Sequence, residues 1–168
     1  MTIRREYDTR GVNAFQSIST KLIATVAGAG YSPVAPGTAG TLIGCLVLFI
    51  LEPDFSSVLF LVAIAVVYAI GVLVSSWAER VWEKSDPGQV CIDELAGLLV
   101  SLAYVPAKDP ALLLVAAFLL FRMFDIIKPP PARAAENARS GWGIMNDDMI
   151  AGLYTNAALQ IISRLGWL

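Results

Sequence analysis

Residues 110–128 decide the fold class of this chain, and they read Pro-Ala-Leu-Leu-Leu-Val-Ala-Ala-Phe-Leu-Leu-Phe-Arg-Met-Phe-Asp-Ile-Ile-Lys. The stretch carries no charge before Arg122, and a helix of this length approaches the thickness of a hydrocarbon core of about 30 Å. A charge inside a span costs about 2.5–3.5 kcal/mol on insertion scales, so ionisable residues there are candidates for function. We therefore predict a membrane-spanning helix whose charged end, with Arg122, Asp125 and Lys128, belongs to a functional site.

The composition of the whole chain supports a membrane protein. Of its 168 residues, 57% are hydrophobic and 15% are charged, and the mean hydropathy is +0.66. Soluble domains carry about 25% charged residues. We predict a single membrane-embedded domain over residues 1–168, with the lipid bilayer as its surroundings. The net charge of −2 and the lack of a basic stripe exclude a nucleic-acid partner, while the oligomeric state stays open.

The hydrophobic pattern predicts an all-α, multi-helix integral membrane bundle preceded by an interfacial amphipathic helix. Val12, Phe15, Ile18, Leu22 and Val26 recur at a spacing that is typical of one helix face lying in the membrane interface. Five longer apolar segments follow, at residues 37–51, 56–77, 93–105, 110–127 and 149–166. The second and fourth are long enough to span, whereas the first and third are short and could be tilted, re-entrant or buried among the others.

Lysine and arginine fall mainly on one side of this arrangement if the N-terminus is cytoplasmic and all five segments cross. Residues 1–36, 78–92 and 122–148 then lie inside and hold ten of the twelve Lys and Arg residues, which leaves Lys108 and Arg164 outside. The positive-inside rule favours this orientation. The same topology brings the start of the third segment, the end of the fourth and the start of the fifth together at the cytoplasmic face.

Acidic pairs begin the third and fifth segments, at Asp93-Glu94 and at Asp147-Asp148. The helix dipole stabilises acids in a first turn, and we expect Asn146 to cap the fifth helix, so a purely local role is the alternative. Each pair also precedes a face of small or polar residues, which lets neighbouring helices approach closely. These faces hold Gly97 and Ser101 after Asp93, and Gly152 and Asn156 after Asp148. Because the chain has no histidine, carboxylates must bind any metal, and four of them predict a Mg²⁺ site.

Arg122, Asp125 and Lys128 are spaced by three residues along the fourth segment. An intrahelical ion pair that lowers the insertion cost is one interpretation. The convergence of these charges with the acidic pairs favours a phosphate site, because arginine forks and lysine point charges both suit phosphate oxygens.

The loop before the first apolar segment, residues 28–41, is rich in glycine and proline. We expect an extended loop that leads into a helix start at Gly37 and Thr38, where free backbone N–H groups would favour a phosphate. Helix packing through Gly40 and Gly44 is the alternative explanation of these glycines.

From about Gly28 onward the chain resembles the bacterial phosphatidylglycerophosphatase A family. The matching stretches, in order, are Gly30-Tyr31-Ser32-Pro33 through Pro36-Gly37-Thr38-Ala39-Gly40, Asp93-Glu94 with Gly97, Phe121-Arg122 with Phe124-Asp125, Lys128-Pro129, and Gly143-Ile144-Met145 with Asp147-Asp148 and Ala151-Gly152. The resemblance implies a Mg²⁺-dependent lipid phosphatase of the bacterial inner membrane, multi-pass and with its active site facing the cytoplasm. Such an enzyme removes the terminal phosphate of phosphatidylglycerophosphate to give phosphatidylglycerol, in phospholipid biosynthesis.

The residue pattern and the resemblance together assign roles to the candidate residues. Asp125 would be a further metal ligand, a base or a nucleophile, and Arg122 and Lys128 would neutralise the phosphoryl oxygens. The residues that would bind the metal are Asp93, Glu94, Asp147 and Asp148. The residues that would bind the substrate are Ser32, Gly37, Thr38, Arg122 and Lys128.

Two other functions are alternatives to the phosphatase. A lipid enzyme like the CDP-alcohol phosphatidyltransferases would share the membrane, the metal and the acids, but its spaced DG…AR…G…D…D pattern is absent. A non-enzymatic cation-coupled carrier would use the acids as ion ligands, although a transport site belongs near the membrane midplane.

Overall fold

The computed structural model describes residues 12–135, 138 and 140–168, and all regular structure among them is helical, with no strand. The predicted all-α class is therefore confirmed for this part of the chain. Three of the arginines that were counted on the cytoplasmic side, Arg4, Arg5 and Arg10, lie outside the described residues. The elements are α1 (Ala14–Ala24), a 3-10 turn (Ala29–Tyr31), α2 (Pro36–Leu51), α3 (Val58–Val81), α4 (Ile92–Leu102), α5 (Pro110–Ile127), α6 (Ala132–Ala135) and α7 (Gly141–Arg164).

Helix starts follow local sequence signals in three of the apolar helices. Helices α2 and α5 each begin with a proline, whose fixed φ suits the first helical position. The Asp109 side chain accepts hydrogen bonds from the backbone N–H groups of Ala111 and Leu112, and the Ser57 hydroxyl accepts one from Phe60. These caps place the helices close to the predicted segments 37–51, 56–77 and 110–127.

Among the helices of the described residues, α3 and α5 are long and apolar enough to cross a membrane, and α2 is apolar but shorter. Helix α4 has 11 residues and is therefore about 16 Å long, too short to cross by itself. Nearly all of its residues are buried. Of the three alternatives for this short segment, burial among the other helices is confirmed.

The buried C-terminus of α4 is capped by a side chain from α7. The Asn156 amide nitrogen donates to the carbonyl oxygens of Val100, Ser101 and Ala103 at 3.2, 3.1 and 2.8 Å. The last carbonyls of a helix have no partner within it, and leaving them unpaired in an apolar interior is costly. Asn156 thus allows α4 to end inside the protein.

Glycines set the close packing of α4 against its neighbours, as the small-residue faces predict. A Cβ built at Gly152 of α7 would lie 2.4 Å from the carbonyl oxygen of Gly97, and one at Gly97 would lie 2.6 Å from the carbonyl oxygen of Asp148. On the other side of α4, a Cβ at Gly40 of α2 would lie 2.6 Å from Cβ of Cys91. Glycine is therefore required where the backbones of α4 and α7 cross.

Helix α7 begins at Gly141, eight residues before the segment predicted at 149–166, so Asp147 and Asp148 lie inside the helix. Asn146 is consequently not its cap, and its side-chain oxygen accepts a hydrogen bond from the Tyr68 hydroxyl at 2.6 Å. The start is held by tertiary packing, because the Gly141 N–H donates to the Ser76 hydroxyl of α3 at 3.1 Å. This contact lies 65 residues away in sequence and leaves no local signal.

The outer surface of the helices is strongly apolar. Large hydrophobic side chains are exposed along α2, α3 and α5, among them Phe49, Val62, Leu73 and Leu119. A contiguous exposed apolar surface marks a protein or membrane contact. Phe15 on α1 is exposed in the same way, while the position of α1 in a membrane interface stays a prediction.

Candidate functional site

A cavity of about 330 Å³ opens at the end of the helices where α4 begins and α5 ends. Its walls come from the last turns of α3 and α5, the first turn of α4, the start of α7 and the loops before α4 and α7. Its charged lining consists of Glu79, Asp86, Asp93, Glu94, Asp125, Lys128, Asp147 and Asp148. All five acids and the lysine singled out from the sequence therefore line one cavity.

Three carboxylates in this cavity form a tight cluster. Asp93, Glu94 and Asp148 each offer an oxygen, and these oxygens all lie within 4.8 Å of one another. Asp93 Oδ1 and Glu94 Oε2 are buried and accept no hydrogen bond within the described part of the chain. Hard oxygen donors with free lone pairs, close enough to share one ion, suit Mg²⁺ or Ca²⁺. The cluster could therefore hold a divalent cation.

Asp147 is oriented differently from the other three predicted metal ligands. Its Oδ2 lies 2.7 Å from Lys128 Nζ, while its Oδ1 is buried without a described partner. Burial raises the pKa of Asp147, although the Lys128 ammonium opposes this shift. Lys128 ends α5 with a left-handed backbone, and its side chain reaches α7 from there. Asp147 can hold Lys128 in the cavity, and its role as a metal ligand stays a prediction.

The electrostatic cost of this cluster is clearest at Asp148, which is 3% exposed. Burial raises the pKa of Asp148 well above its usual value, and the neighbouring carboxylates of Asp93, Asp125 and Glu94 raise it further. Like charges in a dry site disfavour ionisation of one another. A bound cation, or a cationic side chain that also binds phosphate, would relieve this repulsion.

Arg122 joins the acids of α4 and α5 from behind the cavity. Its Nη1 lies 2.6 Å from Asp125 Oδ2 and 3.7 Å from Glu94 Oε1. The intrahelical ion pair considered from the sequence is therefore present, and Arg122 also contacts a second helix. Gly37 leaves room for this arrangement, since a Cβ there would lie 1.8 Å from Glu94 Oε1 and 3.3 Å from Arg122 Nη1.

The remaining predicted substrate contacts lie outside the cavity. Neither Ser32 nor Thr38 is among its lining residues, and the Ser32 hydroxyl donates to the carbonyl oxygen of Val34. Thr38 does lie in the first turn of α2, at the predicted helix start. The predicted extended loop contains a 3-10 turn at Ala29–Tyr31.

Glu79 is a cavity residue that the sequence motifs did not reveal. It is 6% exposed, and its Oε1 accepts hydrogen bonds from the Ser85 hydroxyl at 3.2 Å and the Asp86 backbone N–H at 3.4 Å. It thereby holds the loop that forms one wall of the cavity. Gly71, Ser75 and Glu79 are spaced by four residues, as Asp93, Gly97 and Ser101 are on α4. This spacing of an acid and small residues on one helix face is the signal by which Glu79 could have been found.

The fold and the site together define a helical protein with two candidate membrane spans and an acidic cavity at one end. The sequence model of the phosphatidylglycerophosphatase A family matches residues 22–163. The chain belongs to the phosphatidylglycerophosphatase A family, which confirms the resemblance seen in its motifs.

Three relatives cover most of the chain. A Bacteroides thetaiotaomicron protein, provisionally named a phosphatidylinositol-3-phosphatase, is 41% identical over 140 residues, which are 80% of this chain and 87% of that protein. The phosphatidylglycerophosphatase A of Haemophilus influenzae is 36% identical over 88% of this chain and 89% of its own length. That of Escherichia coli K12 is 31% identical over 85% and 83%. No solved structure matches the chain significantly.

Proposed function

We propose that this protein hydrolyses the terminal phosphomonoester of phosphatidylglycerophosphate, giving phosphatidylglycerol and inorganic phosphate. The observation that carries the proposal is the cluster of Asp93, Glu94 and Asp148 within 4.8 Å, beside a cavity that also contains Lys128. Such a site combines oxygen ligands for a cation with a positive charge for a phosphate. Family membership and the names of two relatives support the choice of substrate.

A second headgroup is compatible with the same site. The Bacteroides relative carries the name of a phosphatase for an inositol 3-phosphate lipid. Both headgroups present a phosphomonoester on a secondary or primary alcohol next to further hydroxyl groups, so the cavity walls must discriminate between them. We favour the glycerol headgroup because the family and two of the three relatives carry that name.

Asp93, Glu94 and Asp148 would hold Mg²⁺, with Asp147 completing the acidic set beside them. When bound, the ion neutralises phosphoryl charge and lowers the pKa of bound water. The fit rests on the buried, unpaired oxygens of Asp93 and Glu94 and on the exclusively oxygen donor set.

The basic side chains of the site would orient the phosphate. Lys128 enters the cavity next to Asp147, where its ammonium can contact a phosphoryl oxygen as a point charge. Arg122 fixes Asp125 through their 2.6 Å contact and places positive charge behind the acids. Binding therefore relies on positive charge that is fixed in position before the phosphate arrives.

Asp125 is the proposed reacting group of the chain. It lines the cavity, and Arg122 restricts its rotation. Its carboxylate would either take a proton from the attacking water or attack phosphorus itself, forming an aspartyl phosphate that water then cleaves. Both routes break the bond between phosphorus and the headgroup oxygen, consume one water, and release inorganic phosphate; a proton that comes from this water ends on the headgroup oxygen, which leaves as the alcohol.

We place this reaction at the cytoplasmic face of the bacterial inner membrane, on a multi-pass chain. The candidate spans α3 and α5 and the exposed apolar surface support a membrane location. The distribution of lysine and arginine supports the cytoplasmic side, because the short helix α4 and the residues after it still connect the two ends of the protein: the Tyr104 N–H donates to the Phe55 carbonyl oxygen in the loop between α2 and α3.

The test is phosphate release by detergent-purified protein from phosphatidylglycerophosphate, phosphatidylinositol 3-phosphate and phosphatidic acid, each in Mg²⁺ or in EDTA. We expect phosphate release from phosphatidylglycerophosphate in Mg²⁺. We expect none from this lipid in EDTA and none from the other two lipids in either condition. Asp125→Asn should lower turnover at least about 100-fold, the range of effect for a group that acts in proton transfer or nucleophilic attack. Hydroxylamine trapping of a phosphorylated protein would separate the two routes.

A matched pair of variants controls for loss of charge. Glu94→Gln should abolish turnover, whereas Glu83→Gln, at an exposed position, should keep it. Wild-type activity in Asp125→Asn would remove Asp125 from the mechanism. Folded protein that releases phosphate from none of the three lipids would refute the phosphatase, and transfer of a phosphatidyl group or cation flux into liposomes would then decide between the two competing functions.

A further inference from the structure

The end of α5 and the residues after it are attached to α7 at two levels. At the cavity, Lys128 Nζ lies 2.7 Å from Asp147 Oδ2. Seven residues further along α7, the Tyr154 hydroxyl donates to the Pro130 carbonyl oxygen at 2.6 Å, and the Tyr154 ring stacks on that of Phe124 with centroids 5.6 Å apart. Phe124, Pro130 and Tyr154 are not among the residues that line the acidic cavity. This second attachment therefore lies outside the site already described.

The backbone at Lys128 gives the second attachment a purpose. Lys128 ends α5 with φ 47° and ψ 65°, in the left-handed region, and its N–H donates to the Phe124 carbonyl oxygen at 2.8 Å. Residues with a Cβ rarely adopt this conformation, and it persists where the surrounding structure holds it. Tyr154 contacts the chain on both sides of Lys128, four residues before it and two residues after it. Tyr154 can therefore hold the turn from which the Lys128 side chain reaches α7.

Helical periodicity places both attachments on one face of α7. Asp147 and Tyr154 are seven residues apart, which is about two turns, so their side chains leave the helix in similar directions. About 10 Å of helix separates them. Because α7 is one continuous helix over this stretch, the contact at Tyr154 also determines where Lys128 meets Asp147.

We propose that Tyr154 is a positioning residue that holds the Lys128 ammonium in the acidic cavity for binding of the phosphate group. This inference rests on the proposed function, in which Lys128 contacts a phosphoryl oxygen. Tyr154 itself does not contact the substrate and acts through the turn at residues 128–130. Without the Tyr154 hydroxyl, this turn can relax toward the backbone conformations that residues with a Cβ prefer, and the ammonium then spends less time beside Asp147.

A membrane anchor is the simpler explanation of Tyr154, because tyrosine is enriched at membrane–water interfaces and this one is exposed. An anchoring hydroxyl contacts water or lipid headgroups, whereas the Tyr154 hydroxyl donates to a backbone carbonyl of the protein. The two explanations also differ in their dependence on Lys128. An anchor acts whether or not Lys128 is present, and a positioning residue acts only through it.

The first test removes the Tyr154 hydroxyl and keeps the ring. In Tyr154→Phe, KM for phosphatidylglycerophosphate should rise about fivefold, the effect of one neutral hydrogen bond, with kcat unchanged, because a charge that contacts phosphate throughout the reaction binds substrate and transition state alike. In Lys128→Met, adding Tyr154→Phe should leave KM as it is, since no ammonium remains to be positioned. Tyr104→Phe removes the hydroxyl of an exposed tyrosine beyond the end of α4 and should keep the wild-type KM.

An amine-labelling experiment tests the position of Lys128 without turnover. A water-soluble acylating reagent at fixed pH, followed by mass spectrometry, gives the labelling rate of Lys128 relative to that of the exposed Lys84. Pairing with Asp147 shields the Lys128 ammonium, so this ratio should rise about fivefold in Tyr154→Phe and stay at the wild-type value in Tyr104→Phe.

The outcomes separate this proposal from the proposed function. A raised labelling ratio in a protein without phosphatase activity would retain the positioning role and refute the proposed function alone. An unchanged labelling ratio in folded Tyr154→Phe would overturn the positioning role. An equal rise in KM with and without Lys128 would do the same and would favour the membrane anchor.

Discussion

Replacing Gly152 by alanine should separate the two helices that carry the acidic cluster. The added Cβ would lie 2.4 Å from the carbonyl oxygen of Gly97 and 3.1 Å from its Cα, both backbone atoms of α4. Ordinary contact begins at 3.4 Å, so α7 must move away from α4 by about 1 Å at this point. Asp148 lies one turn from Gly152, and Asp93 one turn from Gly97, so the cluster widens with the crossing.

The expected loss follows from the tolerance of catalytic geometry. A displacement of about 1 Å in a positioned group can lower the rate about 100-fold, which corresponds to about 2.7 kcal/mol of barrier. Overpacking also costs about 1–3 kcal/mol of stability, so the variant should remain folded but melt earlier. The assay is kcat/KM for phosphate release from phosphatidylglycerophosphate, measured with size-exclusion chromatography and thermal unfolding in the same detergent.

Gly44→Ala is the matched control, because it makes the same substitution in a packed helix. A Cβ at Gly44 meets Leu95 Cδ1 at 2.9 Å and Leu98 Cδ2 at 3.0 Å, the far ends of side chains that can rotate. It should keep most of the activity. Equal activity of the two folded variants would refute the argument that the Gly97–Gly152 crossing sets the spacing of the carboxylates.

Three further predictions address the cap, the cavity wall and the topology. Asn156→Leu should destabilise the protein by about 1–3 kcal/mol in thermal unfolding, since it leaves buried α4 carbonyls unpaired, whereas Gln160→Leu, which removes one exposed bond, should have little effect. Glu79→Leu should raise KM about tenfold by freeing the 85–88 loop, and Glu79→Gln, which can still accept both hydrogen bonds, should restore KM; equal KM in both would exclude this role. In cells, a membrane-impermeant maleimide should label Lys108→Cys from outside and Glu83→Cys only after permeabilisation; the reverse pattern would invert the predicted orientation.

The sequence predicted those parts of the fold whose signals are local. Helices α2 and α5 begin at prolines that end the preceding loops, and apolar runs continue from them, of spanning length in α5 and shorter in α2. The start of α7 could not be found in this way, because residues 141–146 mix glycine, tryptophan and asparagine without helical periodicity. The hydrogen bond between Gly141 and Ser76 holds that turn, and a contact between distant residues is not visible in the local sequence.

The same distinction applies to the site. The acids of α4, α5 and α7 were predicted to converge, and the cavity brings them together. The pairing of Asp147 with Lys128, rather than with the other acids, depends on the left-handed end of α5 and had no counterpart in the sequence pattern. Glu79 was missed because it ends an apolar run on α3 that carries no family motif.

Small-residue faces explain why an acidic site can form at this position at all. Apolar side chains gain little by contacting one another instead of lipid, so helices in a membrane associate through close backbone packing and polar contacts. Glycine at the crossing of α4 and α7 provides this packing, and it fixes their relative position one turn from Asp93 and Asp148. Gly71 and Ser75, which precede Glu79 by eight and four residues, give α3 the same kind of small-residue face. Acids placed one turn beyond such contacts must face each other, so the residues that assemble the helices also determine the geometry of the carboxylate cluster.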